Sequence, residues 1–253
     1  MSVPALGPSL VIIPTYNEIE ALPGTIARLR AAVPEADVLI ADDRSPDGTG
    51  ELADRLGVQD PRIHVLHRAG KEGLGPAYIA GFRWGLERGY EVLVEMDADA
   101  SHRPEQLPEL LEAVRRGADL AIGSRWIRGG AVHDWAPHRE LLSRGANMYA
   151  RMLMGIGVHD ATAGFRAYRA PLLRRLLEAD VASHGYCFQV DMTRRSRDAG
   201  AVIREVPIDF DERREGTSKM DSSIVAEALV RVTQWGIAHR ARQLARVLGY
   251  RRG

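Results

Sequence analysis

Residues 92–99 read VLVEMDAD, a short apolar run that ends in two carboxylates spaced two positions apart. A run of four to eight mostly apolar residues bounded by polar ones is typical of a buried strand. The same pattern recurs in residues 10–18, LVIIPTYNE, and in residues 38–43, VLIADD. Strands that are apolar on both faces belong to parallel sheets covered by helices on both sides. These three stretches therefore predict an α/β fold with a mostly parallel sheet.

The rest of the chain extends this alternation. Further strands are predicted at Ile63–Leu66, Leu120–Ile122, Phe165–Tyr168 and Val202–Phe210, and helices at Leu22–Val33, Pro76–Arg88, Pro104–Arg116, Arg139–Leu153 and Ser222–Leu248. Gly123–Trp135 and the charge-rich Phe210–Asp221 are predicted to be loops. Because the sequence contains no repeat or linker, we expect residues 1–253 to form a single domain.

Composition excludes several classes of protein. The 253 residues are 45% hydrophobic and carry no net charge, which is typical of a soluble globular chain. Cys187 is the only cysteine, so a disulfide framework is excluded and a reducing compartment is expected. We find no secretory signal and no apolar run of 18 residues, so no transmembrane helix is expected. Residues 1–100 contain 16 acidic against 9 basic residues, and the remainder contains 18 against 25. This asymmetry favours a metal or nucleotide site in the first part and an anion-binding surface in the second.

The polar residues after the predicted strands are the candidate site. Ligands of open α/β sheets bind at the carboxyl ends of the strands. Asp97 and Asp99 can converge there on Mg²⁺ or Mn²⁺, although a solvated acidic turn would show the same spacing. Tyr16 offers a ring for stacking on a base, and Glu18 offers an acceptor for base N–H groups. The chain has no P-loop, no dinucleotide-binding glycine pattern, no HExxH and no GxSxG, and no recognisable nucleic-acid-binding motif.

Taken together, these motifs resemble family-2 glycosyltransferases with the GT-A fold. The shared motifs are PTYNE (14–18), DDRSPDGT (42–49), DAD (97–99) and GSRW (123–126). Later segments resemble dolichol- or polyprenol-phosphate mannosyltransferases, namely WAPHRELLSRGAN (135–147), DATAGFRAYR (160–169), GYCFQVDM (185–192) and FDERREGTSK (210–219). The resemblance covers residues 9–220, and its most specific segments follow residue 122.

The resemblance implies a role for each matching residue. Pro14, Tyr16, Glu18 and Asp43 would hold the guanosine of GDP-mannose. Asp97 and Asp99 would hold the metal at the diphosphate. The phosphate of the acceptor lipid, a polyprenyl or dolichyl phosphate, would lie against Arg125, Arg139 and Ser143. Gln189 and Asp191 would line the sugar pocket, and Arg213 and Lys219 would close over the leaving group. The chain departs from some relatives at Ser101, where they carry Gln, and at Cys187, where they carry Lys.

The implied reaction is an inverting transfer of mannose to the lipid phosphate. A phosphate monoester is already anionic near neutral pH, because its second pKa is about 6, so it needs arginines rather than a general base. Asp191 is the candidate base if the acceptor is a hydroxyl group instead. A UDP-glucose-dependent enzyme acting on the same lipid remains an alternative, as does another family-2 glycosyltransferase with a different acceptor. An alternative from another class is a non-catalytic nucleotide-sugar-binding subunit of a membrane complex.

A lipid acceptor requires contact with a membrane. Segment 222–253 contains six arginines against one glutamate, and its apolar residues recur at helical spacing. We expect this segment to form a basic C-terminal helix near anionic headgroups, or else a core-packed helix with a solvated tail. The expected location is the cytoplasm, at the cytoplasmic face of a membrane, with a separate anchoring protein as a further expected partner and no nucleic acid.

Overall fold

A computed structural model describes residues 6–179, 181, 186–212, 231–237 and 240–241. The described strands are β1 (Ser9–Thr15), β2 (Asp37–Asp42), β3 (Ile63–His67), β4 (Val92–Glu95), β5 (Leu120–Ser124), β6 (Ala131–His133), β7 (Arg166–Arg169), β8 (Ile203–Pro207) and β9 (Asp209–Asp211). The described helices are α1 (Leu22–Ala32), α2 (Thr49–Gln59), α3 (Leu74–Glu87), α4 (Leu107–Arg115), α5 (Pro137–Met154), α6 (Ala170–Leu176) and α7 (Tyr186–Asp198).

The central sheet has the strand order β3-β2-β1-β4-β7-β5-β8. All its neighbours are parallel except β7, which runs antiparallel to both β4 and β5. The predicted α/β fold with a mostly parallel sheet is therefore confirmed. Because β7 is reversed, the segment just before it lies at the same edge as the carboxyl ends of β1, β2, β4 and β5.

Each face of the sheet carries its own apolar core. Leu10 and Ile12 of β1 pack on one side with α3, α6 and α7. Val11 and Ile13, which point the opposite way, pack on the other side with α1 and α4. This alternation is what the near-continuous apolar strands predict, because every strand residue meets a covered face.

Helix α3 approaches β1 unusually closely. A Cβ atom on Gly81 would lie 2.5 Å from Ile12 Cγ2, and one on Gly85 would lie 2.7 Å from Leu93 Cδ2. Only glycine allows the helix backbone to come this near the strands. The close contact fixes the position of Tyr78, which lies on the same helix and reaches the carboxyl edge of the sheet.

Several predicted boundaries are wrong. The single strand predicted at Val202–Phe210 is two strands, β8 in the central sheet and β9 paired in parallel with β6. The predicted loop Gly123–Trp135 contains β6, and the helix predicted from Pro104 begins with a 3₁₀ turn at Pro104–Gln106. Helices α2, α6 and α7 were not predicted. Residues 231–237 are helical, as predicted for that part of Ser222–Leu248, and most of that predicted helix lies outside the described residues.

Three loops at the carboxyl edge contain a strained backbone. Asn17, Arg44 and Ala100 have φ values of 59°, 57° and 60°, and they follow β1, β2 and β4 respectively. This left-handed conformation is costly for residues other than glycine, by about 1–3 kcal/mol each. The surrounding contacts therefore hold each of these loops in one shape.

Candidate active site

The structure brings the predicted nucleotide-side residues together at one edge. Strands β2, β1 and β4 are adjacent in the sheet, so the segments that contain Asp43, Tyr16 and Asp97 follow neighbouring strand ends. Helix α1 is also tied to the loop after β4, since Thr25 Oγ1 donates to the Ala98 carbonyl at 2.9 Å. The segments that follow β2, β1 and β4 thus lie side by side at one edge of the sheet.

The two aspartates after β2 have different surroundings. Asp42 is buried, and its carboxylate accepts hydrogen bonds from Thr15 Oγ1 at 3.0 Å and Ser45 Oγ at 2.6 Å. Asp43 is paired with the Arg68 guanidinium, whose side chain is also mostly buried. Burial raises the pKa of Asp43 despite the opposing charge of Arg68. Asp42 therefore shapes the turn, and Asp43 is the carboxylate at the site edge.

The loop after β1 is fastened to the loop after β2. The backbone N–H of Asn17 donates to Ser45 Oγ, and that of Glu18 donates to Thr49 Oγ1, both at 3.1 Å. Tyr16 is partly exposed, and the Lys71 ammonium lies 4.1 Å from the centre of its ring. Pro14 lies within β1, opposite Ala41 of β2, and the strand continues to Thr15. These contacts give the predicted base-binding residues a fixed arrangement.

The carboxylates of the DAD motif differ in exposure. The Asp97 side chain is 28% exposed and accepts a hydrogen bond from the Tyr78 hydroxyl at 3.1 Å. Asp99 is buried, and its Oδ1 accepts bonds from both the N–H and the hydroxyl of Ser101. Ser101 therefore orients Asp99. The described residues contain no group of three or more His, Cys, Asp or Glu side chains that could hold a metal.

His102 is hydrogen-bonded to the backbone of the DAD loop. Its Nδ1 accepts the backbone N–H of Asp97 at 3.0 Å, so the neutral ring carries its proton on Nε2. Burial lowers the pKa of His102, which favours that neutral form. The ring also stacks on Phe165, which directly precedes β7. His102 thus connects the loop of the DAD motif to the antiparallel strand β7.

A buried polar cluster underlies the same edge. Gln189 Nε2 donates to Glu95 Oε2 at 2.6 Å, and Arg166 donates to the carbonyl oxygens of Gln189, Ala163 and Ala161. Burial raises the pKa of Glu95 to about 7, although the charge of Arg166 and the bond from Gln189 lower it. This cluster fixes the start of β7 and the middle of α7 against β4.

Gly164 borders a small space in the site. A Cβ atom added there would lie 3.5 Å from His102 Cε1, 3.8 Å from Asp97 Oδ2 and 3.9 Å from Gln189 Nε2. These are ordinary van der Waals distances, so the protein itself tolerates a methyl group at this position.

We expect Gly164→Ala to leave the melting temperature unchanged and to raise KM about tenfold for the sugar donor that the motif resemblance implies. The methyl group would fill space beside Asp97 that a bound ligand needs, and poor accommodation of about 1.4 kcal/mol corresponds to a tenfold effect. Donor titrations in the transfer assay would measure this effect. The control is Gly145→Ala, because a Cβ there meets nothing within 4 Å. An unchanged donor KM in Gly164→Ala would show that this space is not used.

The predicted acceptor-side residue Arg125 lies in a buried ion pair. Its Nε and one terminal nitrogen donate to the two carboxylate oxygens of Asp160, each at 2.7 Å. The Arg125 side chain is 8% exposed and that of Asp160 is fully buried. Asn147 of α5 donates to Asp160 and to Thr162, which ties the helix to the same carboxylate. Arg125 is therefore held firmly in place.

Three arginines lie against a pair of tryptophans beside α5. The guanidinium of Arg139 lies 4.1 Å from the ring centre of Trp135, and that of Arg144 lies 4.2 Å from that of Trp126. The two rings contact each other edge to face at 6.3 Å, and the Arg125 guanidinium lies 5.4 and 5.5 Å from their centres. Within the described residues, the buried indole N–H groups of both tryptophans have no hydrogen-bond partner. The stack orients cationic groups along this side of the site.

The other predicted acceptor residues lie on α5. Arg139 donates to Glu212 at 2.8 Å and is partly exposed. Ser143 is one turn further along α5 and is also partly exposed. The structure therefore brings Arg139 to the Arg125 side of the site, with Ser143 next to it on the helix.

The chain matches a known family over most of its length. The profile of "Glycosyl transferase family 2" matches residues 10–177. The chain belongs to glycosyl transferase family 2. The undecaprenyl-phosphate mannosyltransferase of Micrococcus luteus is 59% identical over 240 residues, covering 95% of this chain and 98% of that protein. The polyprenol monophosphomannose synthase of Mycolicibacterium smegmatis is 56% identical and covers 92% of this chain and 88% of that protein.

A solved structure with low sequence identity shares the fold. The mannosyltransferase of Pyrobaculum calidifontis, solved in complex with GDP-Man and Mn²⁺, is 16% identical. The structural alignment covers 98% of this chain and 77% of the Pyrobaculum chain, with a TM-score of 0.54. The predicted resemblance to family-2 glycosyltransferases and the predicted glycosyltransferase fold are thereby confirmed.

Not all of the residues predicted from the family motifs come together. Gln189 and Asp191 are two positions apart on α7, which places them about 200° apart around the helix axis. The Asp191 carboxylate accepts bonds from Arg194 and Arg195, away from Glu95. Its role in the sugar pocket stays a prediction, as does its role as a base. Arg213 and Lys219 lie outside the described residues.

Sequence reasoning missed several residues that shape this family-2 site. Asp160, Arg166 and His102 are buried and bond to the predicted residues or to the loops around them. Glu95 had a usable signal, because a carboxylate inside the apolar run VLVEM must have a partner when buried. Nothing in the sequence indicated that Arg68 is the partner of Asp43, because this pairing depends on how β2 and β3 are aligned.

Proposed function

We propose that this glycosyltransferase moves mannose from GDP-mannose to a polyprenyl phosphate, with inversion at the anomeric carbon. The observation that carries the proposal is the identity of 59% and 56% to two mannosyltransferases, over 98% and 88% of their lengths. Both of those proteins are named for a polyprenyl acceptor. The guanidinium groups of Arg125, Arg139 and Arg144, which lie against the two tryptophans beside α5, support an anionic acceptor.

GDP-mannose is proposed as the donor on three grounds. The motifs PTYNE and DDRSPDGT lie on neighbouring loops, where Tyr16 and Glu18 lie near Asp43. The Pyrobaculum enzyme that shares the fold was solved with GDP-Man. The two relatives transfer mannose by name. Pro14, Tyr16, Glu18 and Asp43 would thus hold the guanosine.

The DAD motif fits a divalent metal. Asp97 and Asp99 offer hard oxygen donors, and Mg²⁺ or Mn²⁺ is commonly held by one or two carboxylates with substrate phosphates and water completing the shell. A bound cation supplies positive charge that neutralises the leaving diphosphate. Ser101 and Tyr78 would orient the two carboxylates, and His102 would hold the loop that joins them.

The acceptor phosphate has to be held in position, but it does not have to be deprotonated. Arg139, with Arg125 and Ser143 close by, would hold the phosphate through charge-assisted hydrogen bonds. The phosphate oxygen then attacks the anomeric carbon from the side opposite the diphosphate, the bond to the leaving oxygen breaks, and the configuration inverts. No proton has to be removed, so Asp191 need not act as a base. Arg213 and Lys219 would add positive charge at the leaving group.

The decisive test is transfer of label into the organic phase. Purified protein is incubated with Mg²⁺, a short polyprenyl phosphate and radiolabelled GDP-mannose. Metal-dependent, acid-labile label in the lipid, absent with UDP-glucose, would establish both substrates. Label from UDP-glucose alone would assign a different donor, and no transfer with any donor would favour a non-catalytic subunit.

We expect Arg139→Ala to raise KM for the polyprenyl phosphate about tenfold or more, with little change in KM for the donor. Loss of one charge-assisted hydrogen bond to a phosphate costs about 1.5–3 kcal/mol. Initial rates at varied acceptor and varied donor would separate the two constants. Arg83→Ala, an exposed change on α3, is the control. Equal effects on both constants would place Arg139 outside the acceptor site.

We further propose that the enzyme works peripherally at a membrane surface, because a long-chain polyprenyl phosphate stays in the bilayer. Among the helices that the structure describes, none combines the length and apolarity that a bilayer crossing requires.

A further inference from the structure

Phe210 of β9 contacts both sides of the candidate site. Its ring lies edge to face against the His102 ring, with the ring centres 5.4 Å apart, and against the Trp135 ring at 5.6 Å. The Arg125 guanidinium lies 5.2 Å from the centre of the same ring. His102 belongs to the loop of the DAD motif, whereas Arg125 and Trp135 belong to the predicted acceptor side. The Phe210 side chain therefore connects the two sides.

The neighbours of Phe210 on the two sides are fixed by other contacts. The His102 ring stacks on Phe165, with the ring centres 5.1 Å apart. The Arg125 guanidinium donates two hydrogen bonds of 2.7 Å to the Asp160 carboxylate. Because each group is held from its own side, the Phe210 ring fills the space between two fixed groups. The size and shape of that ring therefore set the distance between them.

The backbone of β9 spans the same two parts of the site. The Asp211 N–H donates to the Ser101 carbonyl at 3.1 Å, and the Glu212 N–H donates to the His133 carbonyl at 3.2 Å. Arg103 adds two hydrogen bonds of 2.7 Å to the Asp211 carboxylate. None of these bonds involves the aromatic ring. A substitution of that ring therefore leaves them in place and changes only the contacts between side chains.

A role in stability alone does not explain these contacts of Phe210. The residue is partly exposed and belongs to neither of the two apolar cores of the sheet. Aromatic rings prefer to meet edge to face, and the face of a ring attracts a cation. Leucine is also apolar but offers neither interaction. Replacing Phe210 by leucine therefore removes the ring contacts while an apolar side chain is kept.

We propose that Phe210 is a positioning residue for the transfer step, because its ring sets the separation between a donor held at the DAD loop and an acceptor phosphate held beside Arg125. This inference rests on the proposed function, in which a phosphate oxygen attacks the anomeric carbon. Donor and acceptor each keep their own binding groups, Asp97 and Asp99 on one side and Arg139 on the other. A change in spacing therefore slows the step and leaves both affinities nearly unchanged, since a displacement of about 1 Å costs about 100-fold in rate.

Single-turnover transfer, with the full-length protein in excess over radiolabelled GDP-mannose, tests the proposal because it measures the chemical step separately from product release. We expect Phe210→Leu to lower the maximal rate constant about 10- to 100-fold. The half-saturating concentrations, of protein for the donor and of short-chain polyprenyl phosphate for the acceptor, should stay within about threefold of the wild-type values. Phe210→Tyr keeps the ring, so its rate constant should lie within about threefold of the wild type.

Trp84→Leu is the matched control. Trp84 is a partly buried residue of α3 that stacks on Tyr90, with the ring centres 6.2 Å apart, and contacts the Arg88 guanidinium at 3.9 Å. Tyr90 donates to Asp37, the first residue of β2, so this cluster lies at the edge of the sheet opposite the site. The control loses the same kinds of contact, and its rate constant should equal that of the wild type.

The outcomes separate this inference from the proposed function. An unchanged rate constant in Phe210→Leu would overturn the role of Phe210, as would an equal loss in Phe210→Tyr or a loss explained wholly by weaker binding of either substrate. Thermal melts with GDP and Mn²⁺ should show the same stabilisation of Phe210→Leu and the wild type, and loss of that stabilisation would also overturn it. If the wild type uses another donor or acceptor, the proposed function fails, and the same comparison in that reaction still tests Phe210. Absence of transfer from any donor would overturn both.

Discussion

Replacing Asp99 by asparagine is expected to lower kcat for mannosyl transfer by about 10³-fold while the protein stays folded. A group that stabilises charge developing in the transition state is worth about 10²–10³ in kcat, and loss of a metal ligand adds to this. Asparagine keeps an oxygen that can accept the two bonds from Ser101, so the loop geometry is preserved while the negative charge is lost. Initial rates across a metal titration would measure the change.

The matched control for this prediction is Asp54→Asn. Asp54 is on α2, is 54% exposed and forms an ion pair with the exposed His67. Its activity should equal that of the wild type. We expect Asp97→Asn to resemble Asp99→Asn. Wild-type activity in Asp99→Asn, with metal still required, would contradict the assignment of Asp99 as a metal ligand.

Replacing Asp160 by alanine is expected to cost about 3–5 kcal/mol of unfolding free energy, because it leaves the Arg125 guanidinium buried without its carboxylate. The two bonds of 2.7 Å and the contacts from Asn147 and Thr162 are all lost together. For a chain of this size, the melting temperature should fall by roughly 6–20 °C. Denaturant unfolding at pH 7 would measure the loss.

The control is Glu105→Ala, which removes the exposed ion pair with Arg28. Exposed pairs contribute about 0–1 kcal/mol, so this variant should stay close to the wild type. A loss in Asp160→Ala no larger than in Glu105→Ala would show that the buried pair is not a major source of stability.

The same ion pair predicts a dependence on acid. Burial alone would raise the pKa of Asp160, but the charge and hydrogen bonds of Arg125 outweigh it and hold the pKa below its usual value. Since the folded pKa is below the unfolded one, the contribution is complete above about pH 4 and is lost as pH falls through the folded pKa. Asp160→Asn should therefore lose less stability than the wild type as the pH is lowered from about 4 towards the folded pKa of Asp160.

Strand order shows what the sequence could and could not predict. The apolar runs at residues 10–13, 38–41 and 92–96 predicted three buried strands, since burial on both faces is a local property of composition, and the structure shows that these strands are neighbours. The reversal of β7 was not predicted, because a four-residue strand reads the same in either direction. The split between β8 and β9 was also missed, since both halves of that stretch have strand-like composition.

Part of the candidate site could likewise be predicted from the sequence, and part could not. The acidic and aromatic residues after β1, β2 and β4 could be found from the motifs. Their partners could not, because Arg68, His102 and Asp160 reach the site only through tertiary contacts. The clearest case is Asp191. The motif suggested that Asp191 and Gln189 line the same pocket, but the helix directs their side chains to opposite sides of α7.

The position of β7 also constrains how the chain folds during synthesis. Strand β5 pairs only with β7 and β8 within the described sheet, and both follow it in the chain. Strands β1 to β4 can pair as soon as residue 95 has emerged, but the free edge of β4 waits for residues 166–169. Unpaired apolar edges are prone to association with other chains. The nascent protein is therefore most prone to aggregate after residue 95 has emerged and before residues 166–169 have emerged. Chaperone protection would matter most in this interval.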